Sequence, residues 1–422
     1  MNTPMKPCSL ATALLLAVLL TGCVRYSKVH ERRNTASLAV TATQRDTARQ
    51  MERRPPDARL GGYIAAAQSA YVRLKADPDS TLLQSDYNFA VSRVVECLAC
   101  GDAEPWNRPV SATAPDGRNW VLTLKAPDER PEFHPSGFRV MPADRYRFTG
   151  KLVGDRLTKL GIGAPVVAVS KNHDLRNVRR LAEGKDFFYG LTGVLRFEGN
   201  RCELQYYDPL EVEDVSLAGH KLPLAADFQA PLAMALAEMQ LKRRELDAFL
   251  SPKDFEESAK LIRLQPYDPD KIPVLFVHGL LNSPATWVPV IEFLRGDPQI
   301  RQNYQFWVFG YATGMPYPIT AELLRRHLDE IKALYPGHKE IVVVGHSMGG
   351  MISRLLLTRS NGAIWDHFFD NPPDAIPFSP DVRRMIVPAL KFEPRNDVSR
   401  VVFVSASHRG SDMAVGLIGR IG

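Results

Sequence analysis

The residue with the clearest chemical capacity is Ser347, at the centre of Gly345-His346-Ser347-Met348-Gly349. A serine hydroxyl acts as a nucleophile when the chain presents it openly and a base lies within hydrogen-bond reach. Gly345 and Gly349 leave room for two backbone segments to approach closely on either side of the serine. This spacing predicts that Ser347 projects from a sharp turn as a catalytic nucleophile.

The segments that flank this turn predict the elements that hold it. Residues 341–344 form a β-branched run typical of a buried strand, and residues 351–357 have a leucine-rich helical pattern. A second buried-strand pattern covers residues 274–277 and ends in His278-Gly279. Strand, turn and helix in this order favour a catalytic motif over a chance match in a loop.

The two motifs, Phe276-Val277-His278-Gly279-Leu280 and the glycine-flanked serine, resemble the α/β-hydrolase superfamily, in particular bacterial lipases and esterases. The resemblance implies a serine hydrolase that cleaves carboxylic esters, lipids included, without a cofactor or a metal. It also implies an oxyanion hole formed by the backbone amides of Leu280 and Met348. Such amides are already fixed where negative charge develops on the tetrahedral intermediate. We expect His278 and His346 to pack beside the turn.

The histidines after Ser347 do not fit the expected base. In this superfamily an acid and then the catalytic histidine follow the nucleophile, whereas the remaining sequence contains only His367 and His408. His367 lies in a long connection, and His408 begins a His-Arg-Gly-Ser turn that resembles one in many bacterial lipases. We therefore expect the acid and base beyond residue 422, so the 422-residue chain would be an inactive, C-terminally incomplete hydrolase.

The N-terminus predicts a lipid anchor. An apolar stretch over about residues 9–20 is shorter than the roughly 20 residues that a membrane-spanning helix needs, and it has the length of a secretory signal. It ends in Leu20-Thr21-Gly22-Cys23, which resembles the lipobox of bacterial lipoproteins. The resemblance implies an acylated Cys23. An aspartate that would signal inner-membrane retention is absent at Val24, so we expect an outer-membrane protein that faces the periplasm.

Composition excludes nucleic acid as an expected partner. The formal net charge is only +6, and no basic stripe is interleaved with aromatic residues. Cys97 and Cys100 form a C-x-x-C, but further ligands at zinc-site spacing are missing. In an oxidising periplasm we expect a disulfide among Cys97, Cys100 and Cys202, with its pairing open. The sequence leaves the oligomeric state undetermined.

The fold class predicted is α/β, with a mostly parallel hydrolase-type sheet after a mixed helical and β-containing region. Alternating patterns predict strands near 274–278, 305–311, 340–345 and 401–407, and helices near 284–295, 319–334 and 348–360. The predicted segments are a signal peptide (1–22), a flexible tether (23–56), a helical hairpin with a β-containing region (57–270) and a partial catalytic domain (271–422). Within the last, the aromatic connection 361–399 is either a lid or a packed structural excursion.

Two classes of function remain at this point. The first is a membrane-anchored serine esterase or lipase that uses Ser347. The second is a non-catalytic lipoprotein whose hydrolase-like domain binds a ligand or partner, because the acid and histidine are missing from the sequence. Fold resemblance alone does not decide between them.

Replacing Cys23 by serine should abolish lipid attachment, because the acyl chains are carried by the cysteine thiol and by the amine that cleavage exposes. Metabolic labelling with an alkyne fatty acid measures this. Cys8→Ser, within the same signal segment, is the matched control and should keep the label. Undiminished label on Cys23→Ser would contradict the lipobox interpretation.

Overall fold

The computed structural model describes residues 26–100, 108–125, 137–170, 188–238, 259–265 and 267–410. The predicted signal segment, including Cys23, lies outside the described residues. None of the helices in the described ranges combines the length and the apolar character needed to cross a bilayer.

The described chain contains both helices and strands throughout its length. The helices are α1 Ala42–Glu52, α2 Pro56–Leu74, α3 Thr81–Ala99, α4 Ala230–Glu238, α5 Val288–Gly296, α6 Pro298–Asn303, α7 Tyr317–Leu334, α8 Met348–Leu355, α9 Ala363–Phe368 and α10 Pro380–Leu390. The strands are β1 Lys28–Glu31, β2 Val110–Thr113, β3 Asn119–Lys125, β4 Phe138–Pro142, β5 Tyr146–Thr149, β6 Thr158–Lys159, β7 Ala164–Ser170, β8 Phe188–Glu198, β9 Arg201–Tyr207, β10 Asp214–Leu217, β11 His220–Pro223, β12 Ala226–Asp227, β13 Lys260–Arg263, β14 Ile272–Val277, β15 Tyr304–Gly310, β16 Ile341–His346 and β17 Val398–Val404.

The C-terminal sheet has five strands in the order β13-β15-β14-β16-β17. The strands β14, β15, β16 and β17 are parallel, and β13 is antiparallel to β15. The four predicted strands and the parallel sheet are therefore confirmed. In the register, Val277 lies beside Gly345. This pairing brings the His278-Gly279 turn next to Ser347.

Alternate residues of the central strands face two different apolar layers, as the two-residue period of a strand requires. Leu275 and Val277 lie in a cluster under α7 and α8. Val274 and Phe276 lie in a cluster on the other face, under α4 and α5. Because α4 precedes the predicted start of the catalytic domain at 271, the N-terminal region supplies part of the cover of this sheet. So does β13, which lies at its edge.

The N-terminal region has its own core. The predicted helical hairpin is present as α2 and α3, which pack on a six-stranded sheet of order β2-β3-β9-β8-β7-β4. The Tyr87 hydroxyl on α3 donates to the carbonyl of Leu195 and accepts from its amide at 2.6 and 2.7 Å. The β-containing region predicted within 57–270 is thus confirmed, and its strands β3, β7 and β8 belong to this sheet and not to the C-terminal sheet.

The predicted flexible tether is wrong for the described residues 26–56. They form β1, a 3-10 turn and α1, whose start is fixed by a reciprocal capping box between Thr41 and Gln44. Ala48 and Met51 of α1 are buried in the core of the hairpin. The segment is polar on average, but these few apolar side chains fall on one helical face and find a partner surface.

The C-terminal part of the connection 361–399 packs against a helix of the C-terminal region. It contains α9 and α10, and α10 packs along α7. The chain then enters β17 at Val398, which pairs with Ile341 at the beginning of β16. Since Ser347 follows the last residue of β16, the connection ends at the edge of the sheet opposite to Ser347. Both interpretations of the connection, a lid or a packed structural excursion, stay predictions.

The expected disulfide is not formed: Cys97, Cys100 and Cys202 are free thiols. Cys202 is buried in β9, and its sulfur lies 3.8 Å from the carbonyl oxygen of Val121. Burial raises the pKa of the Cys97 and Cys202 thiols to about 12, which keeps both protonated at neutral pH. These thiols are therefore poor nucleophiles and poor metal ligands in this state.

An ion pair joins the two regions of the chain. The Arg301 side chain on α6 is 2% exposed, and its Nη2 lies 2.8 Å from Oε1 and 3.0 Å from Oε2 of Glu213. Lys159 pairs with the same carboxylate. Although burial opposes ionisation, the hydrogen bonds from Lys159 and Arg301 hold the pKa of Glu213 below its usual value. Glu213 is therefore charged at neutral pH and neutralises the buried guanidinium.

Glu213→Ala should reduce the free energy of unfolding by roughly 3 kcal/mol, because it leaves the buried Arg301 charge without a counterion. Urea denaturation at pH 7 measures the change. The matched control is Glu393→Ala, which breaks the exposed pair with Arg359 and should cost no more than about 1 kcal/mol. Equal losses for the two variants would contradict the assigned role of the junction pair.

Candidate active site

Ser347 occupies a backbone conformation that a serine rarely adopts. Its φ is 53° and its ψ is −119°, between the end of β16 and the first residue of α8. Two hydrogen bonds hold this turn: the Ser347 amide donates to the Val404 carbonyl at 2.9 Å, and the Gly350 amide donates to the Ser347 carbonyl at 2.9 Å. Strain of this kind persists only where the surroundings enforce it, and it is concentrated at functional sites.

The glycines of the motif are required by close approach of backbone segments. A Cβ atom on Gly345 would lie 2.6 Å from the Gly349 carbonyl oxygen and 2.6 Å from Ser353 Oγ. A Cβ atom on Gly349 would overlap the Val277 carbonyl oxygen, and one on Gly350 would lie 2.5 Å from Ala406 Cβ. Helix α8 is thus pressed against the ends of three strands, β14, β16 and β17.

The loop after β14 passes directly beside the serine. A Cβ atom on Gly279 would lie 3.0 Å from Ser347 Cβ. Leu281 adopts a left-handed conformation with φ 55°, and its amide donates to Thr313 Oγ1 at 3.3 Å. Within the described part of the chain, the amides of Leu280 and Met348 have no hydrogen-bond acceptor. Met348 directly follows Ser347, and Leu280 directly follows Gly279, which lies beside Ser347. The oxyanion role of their amides stays a prediction.

His278 packs as a neutral, buried side chain. Its ring stacks on Tyr311 with centroids 4.2 Å apart, its Nδ1 lies 3.0 Å from the Gly279 carbonyl oxygen, and the Tyr311 hydroxyl donates to the His278 carbonyl at 2.6 Å. Burial lowers the pKa of His278 to about 4. A group with this pKa is a weak base, so His278 is unsuited to accept the serine proton. Its contacts instead order the loop.

Three other histidines, His346, His367 and His408, lie in or after the serine motif. The His346 ring meets Trp287 edge-on at 6.4 Å, beside the turn. The exposed His408 ring lies edge-on against Phe403 at 4.5 Å, and the exposed His367 lies in α9. Among the described residues, none of these rings forms a hydrogen bond with the Ser347 hydroxyl.

Sequence reasoning did not identify three residues that shape this site. Tyr311 and Thr313 follow β15 and hold the loop after β14, and Val404 at the end of β17 accepts the Ser347 amide. Tyr311 ends the predicted strand 305–311 and Thr313 follows it, on the same sheet edge as Ser347. That position was a usable signal, because carboxyl ends of parallel strands meet at one edge.

A separate cavity of about 410 Å³ lies in the N-terminal region. Its walls come from α1, α2, α3 and β2, with Tyr63, Glu96 and Cys97 among the lining side chains. Arg145 at this cavity pairs with Glu96 and donates to Thr35 Oγ1 at 2.9 Å. Because none of the described lining residues comes from the hydrolase sheet, this cavity is distinct from the site at Ser347.

Residues 274–416 match the model of the alpha/beta hydrolase family. The predicted resemblance to α/β-hydrolases is therefore confirmed for this part of the chain. Lipase or esterase character, and the roles of individual site residues, stay predictions. Comparison with curated proteins gave no match.

Solved structures that are similar to part of the chain include the following three. The Bacillus licheniformis lipase BlEst2 in mature form is 19% identical, with a TM-score of 0.24, and the match covers 37% of this chain and 52% of the lipase. Its propeptide form is 18% identical, with a TM-score of 0.24, and covers 38% and 29%. A candidate lipase of Acinetobacter baumannii AYE is 22% identical, with a TM-score of 0.17, and covers 26% and 40%. The chain thus spans about half of the mature lipase.

The buried His278 should make the protein less stable as the pH falls. Its pKa is about 4 when folded and 6.5 when exposed, so the unfolded chain binds the additional proton between these values. This group does not lower the free energy of unfolding above pH 6.5. As the pH falls from 6.5 to 4, it lowers the free energy of unfolding by about 3 kcal/mol. His278→Phe, which keeps a ring against Tyr311, should remove this part of the pH dependence in urea denaturation.

His408→Phe is the control for this measurement, since it removes an exposed imidazole. It should follow the wild-type profile between pH 7 and pH 4. If His278→Phe and wild type lost the same stability over this interval, the neutral buried state of His278 would be disproved.

Proposed function

We propose that this chain is a lipid-anchored serine hydrolase that cleaves carboxylic esters, with Ser347 as its nucleophile. The observation that carries the proposal is the enforced turn at Ser347, with φ 53° and the backbone of Gly279 alongside. The turn separates the serine from the regular geometry of both β16 and α8. The match to the hydrolase family over 274–416 supports the same class of reaction.

The proposed reaction uses two backbone amides and the hydroxyl. Ser347 Oγ attacks the ester carbonyl carbon, and the amides of Leu280 and Met348 bind the oxygen on which negative charge develops. The C–O bond to the alcohol then breaks, and water releases the acid from the acyl-serine in a second step. Met348 is the first residue of α8, so the positive end of the helix dipole adds to the stabilisation of this charge.

The general base in this proposal is a histidine, oriented by a carboxylate, that accepts the serine proton and returns it to the leaving alcohol. His278 is excluded from this role by its pKa of about 4 and by its contacts with Gly279 and Tyr311. The family order of nucleophile, acid and histidine favours residues later in the chain.

The substrate class proposed is a lipid or another acyl ester at a membrane. The support is the short apolar leader that ends at Cys23, and the chemistry expected of a hydrolase turn. Acylation at Cys23 would hold the protein at the outer membrane, facing the periplasm. Several acyl chains give a stable anchor, because each buried methylene contributes about 0.8 kcal/mol.

Ser347→Ala should abolish covalent labelling of the full gene product by a fluorophosphonate probe, because the probe phosphonylates only an activated serine. Turnover of p-nitrophenyl butyrate should fall on the order of 10³-fold or more. Ser405→Ala is the matched control, since Ser405 also has positive φ, at 47°, and follows the neighbouring strand. Its labelling should equal that of wild type.

Equal labelling of wild type and Ser347→Ala would refute the assignment of the nucleophile. A folded wild-type protein that takes no label would instead favour the non-catalytic lipoprotein. Circular dichroism of both variants separates loss of reactivity from loss of fold.

A further inference from the structure

Helix α5 has an apolar outer face in addition to its buried face, where Val288 and Ile291 pack on the sheet. Its exposed positions are Pro289, Val290, Phe293 and Gly296, and none of them is charged. Val290 is 41% exposed and Phe293 is 78% exposed. A helix at a protein–water boundary normally has the opposite arrangement, with charged residues outside.

The charged residues of α5 lie beneath the helix. Glu292 and Arg295 are only 6% and 4% exposed. The Arg295 guanidinium donates from Nη2 to the carbonyl of Leu264 at 2.9 Å, and burial raises the pKa of Glu292 to about 7. Burying ionisable groups costs free energy. With these groups inside and Phe293 outside, we expect an apolar partner to cover the outer face of α5.

The first described residues of the chain reach the same layer of the molecule. Tyr26 packs with Leu152 against the apolar cluster that holds α5 on the sheet. The carbonyl of Tyr26 accepts the Leu152 amide at 3.2 Å. Tyr26 follows Cys23 by three residues, a span of at most about 11 Å when extended. An acyl chain on Cys23 would therefore enter a bilayer close to this layer.

The ribbon that follows Tyr26 is basic. Strands β1 and β5 pair antiparallel, and the ribbon with its flanking residues exposes five cations and one carboxylate. The cations are Lys28, Arg32, Arg33, Arg147 and Lys151, and the carboxylate is Glu31. Cations this close to an anchor attract anionic lipid head groups, each by about 1 kcal/mol near the surface.

We propose that the exposed side of α5, with Val290 and Phe293, is a membrane-contact surface, and that the fixed Tyr26 holds this surface against the lipid bilayer. The anchor in this proposal is the Cys23 acylation of the proposed function. The apolar side chains of α5 enter the head-group boundary, and the cations of the β1–β5 ribbon lie against anionic lipids. The body is held at the bilayer, because residues 26–56 are folded.

The loop beside Ser347 is connected through the chain to this surface. Leu281, in the loop beside Ser347, is 53% exposed, and the 3-10 turn Pro284–Trp287 leads from this loop into α5. The first residues of α5 lie at the sheet edge where β14 ends.

The test is quenching, by brominated lipid, of the indole that Phe293→Trp introduces. Phe293→Trp in the mature acylated protein is reconstituted into vesicles of phosphatidylethanolamine and phosphatidylglycerol, with or without bromine on the acyl chains. Phe368→Trp is the matched control, because Phe368 is 61% exposed and lies in α9, which packs through Ile364 on the opposite face of the sheet. The fluorescence of the added indole is obtained by subtracting the wild-type signal from the signal of each variant.

We expect bromine to quench the added fluorescence of Phe293→Trp several-fold more strongly than that of Phe368→Trp. Equal quenching in the two variants would overturn the proposal. So would an emission from Phe293→Trp that is blue-shifted in detergent and unquenched in lipid, since protein and not lipid would then cover α5. Val290→Trp repeats the measurement if Phe293→Trp does not fold.

The anchor and the activity are measured separately. The mass of the N-terminal peptide reports acylation of Cys23, and fluorophosphonate labelling reports the serine. If Cys23 is unmodified, the same quenching is measured after adding the unacylated Phe293→Trp protein to the vesicles, and absence of quenching there overturns the proposed surface on its own.

Discussion

The close contact of helix α8 with the ends of the parallel strands is the constraint on which the site depends. Gly345, Gly349 and Gly350 each lie where a Cβ atom would collide with backbone or with a side chain of another element. This contact turns Ser347 out of both regular elements, and it also brings the Gly279 loop alongside. The conformation of Ser347 and the position of the loop beside it are therefore set by one packing requirement.

The N-terminal region is part of the structural support of the hydrolase sheet. Leu232 and Leu236 of α4 share a core with Phe276 and Phe306 of the central strands, and β13 completes one edge. The buried pair of Arg301 and Glu213 adds a polar connection. Both apolar faces of a parallel sheet must be covered, and the N-terminal region covers part of one face. It is therefore not structurally independent of this sheet.

Long apolar strands and the glycine-rich turn were predictable from sequence, because burial on both faces leaves continuous β-branched runs such as residues 341–344. The capping-box helix at 42–52 was missed, since only two of its buried residues, Ala48 and Met51, are apolar. The position of the connection 361–399 depends on long-range pairing at Val398, which composition does not encode. The strain at Ser347 follows from the motif, but Tyr311 and Thr313 act through tertiary contacts.

The pairing of β1 with β5 also determines how the molecule responds to mechanical load. Four residue pairs, from Lys28 with Thr149 to Glu31 with Tyr146, join the first described strand to the body. Any tension applied through the N-terminal chain reaches this ribbon before it reaches the hydrolase sheet. Under load, the four-pair ribbon would therefore separate before the C-terminal sheet does. Its separation would lengthen the connection to the N-terminal chain, while the strands beside Ser347 stay paired.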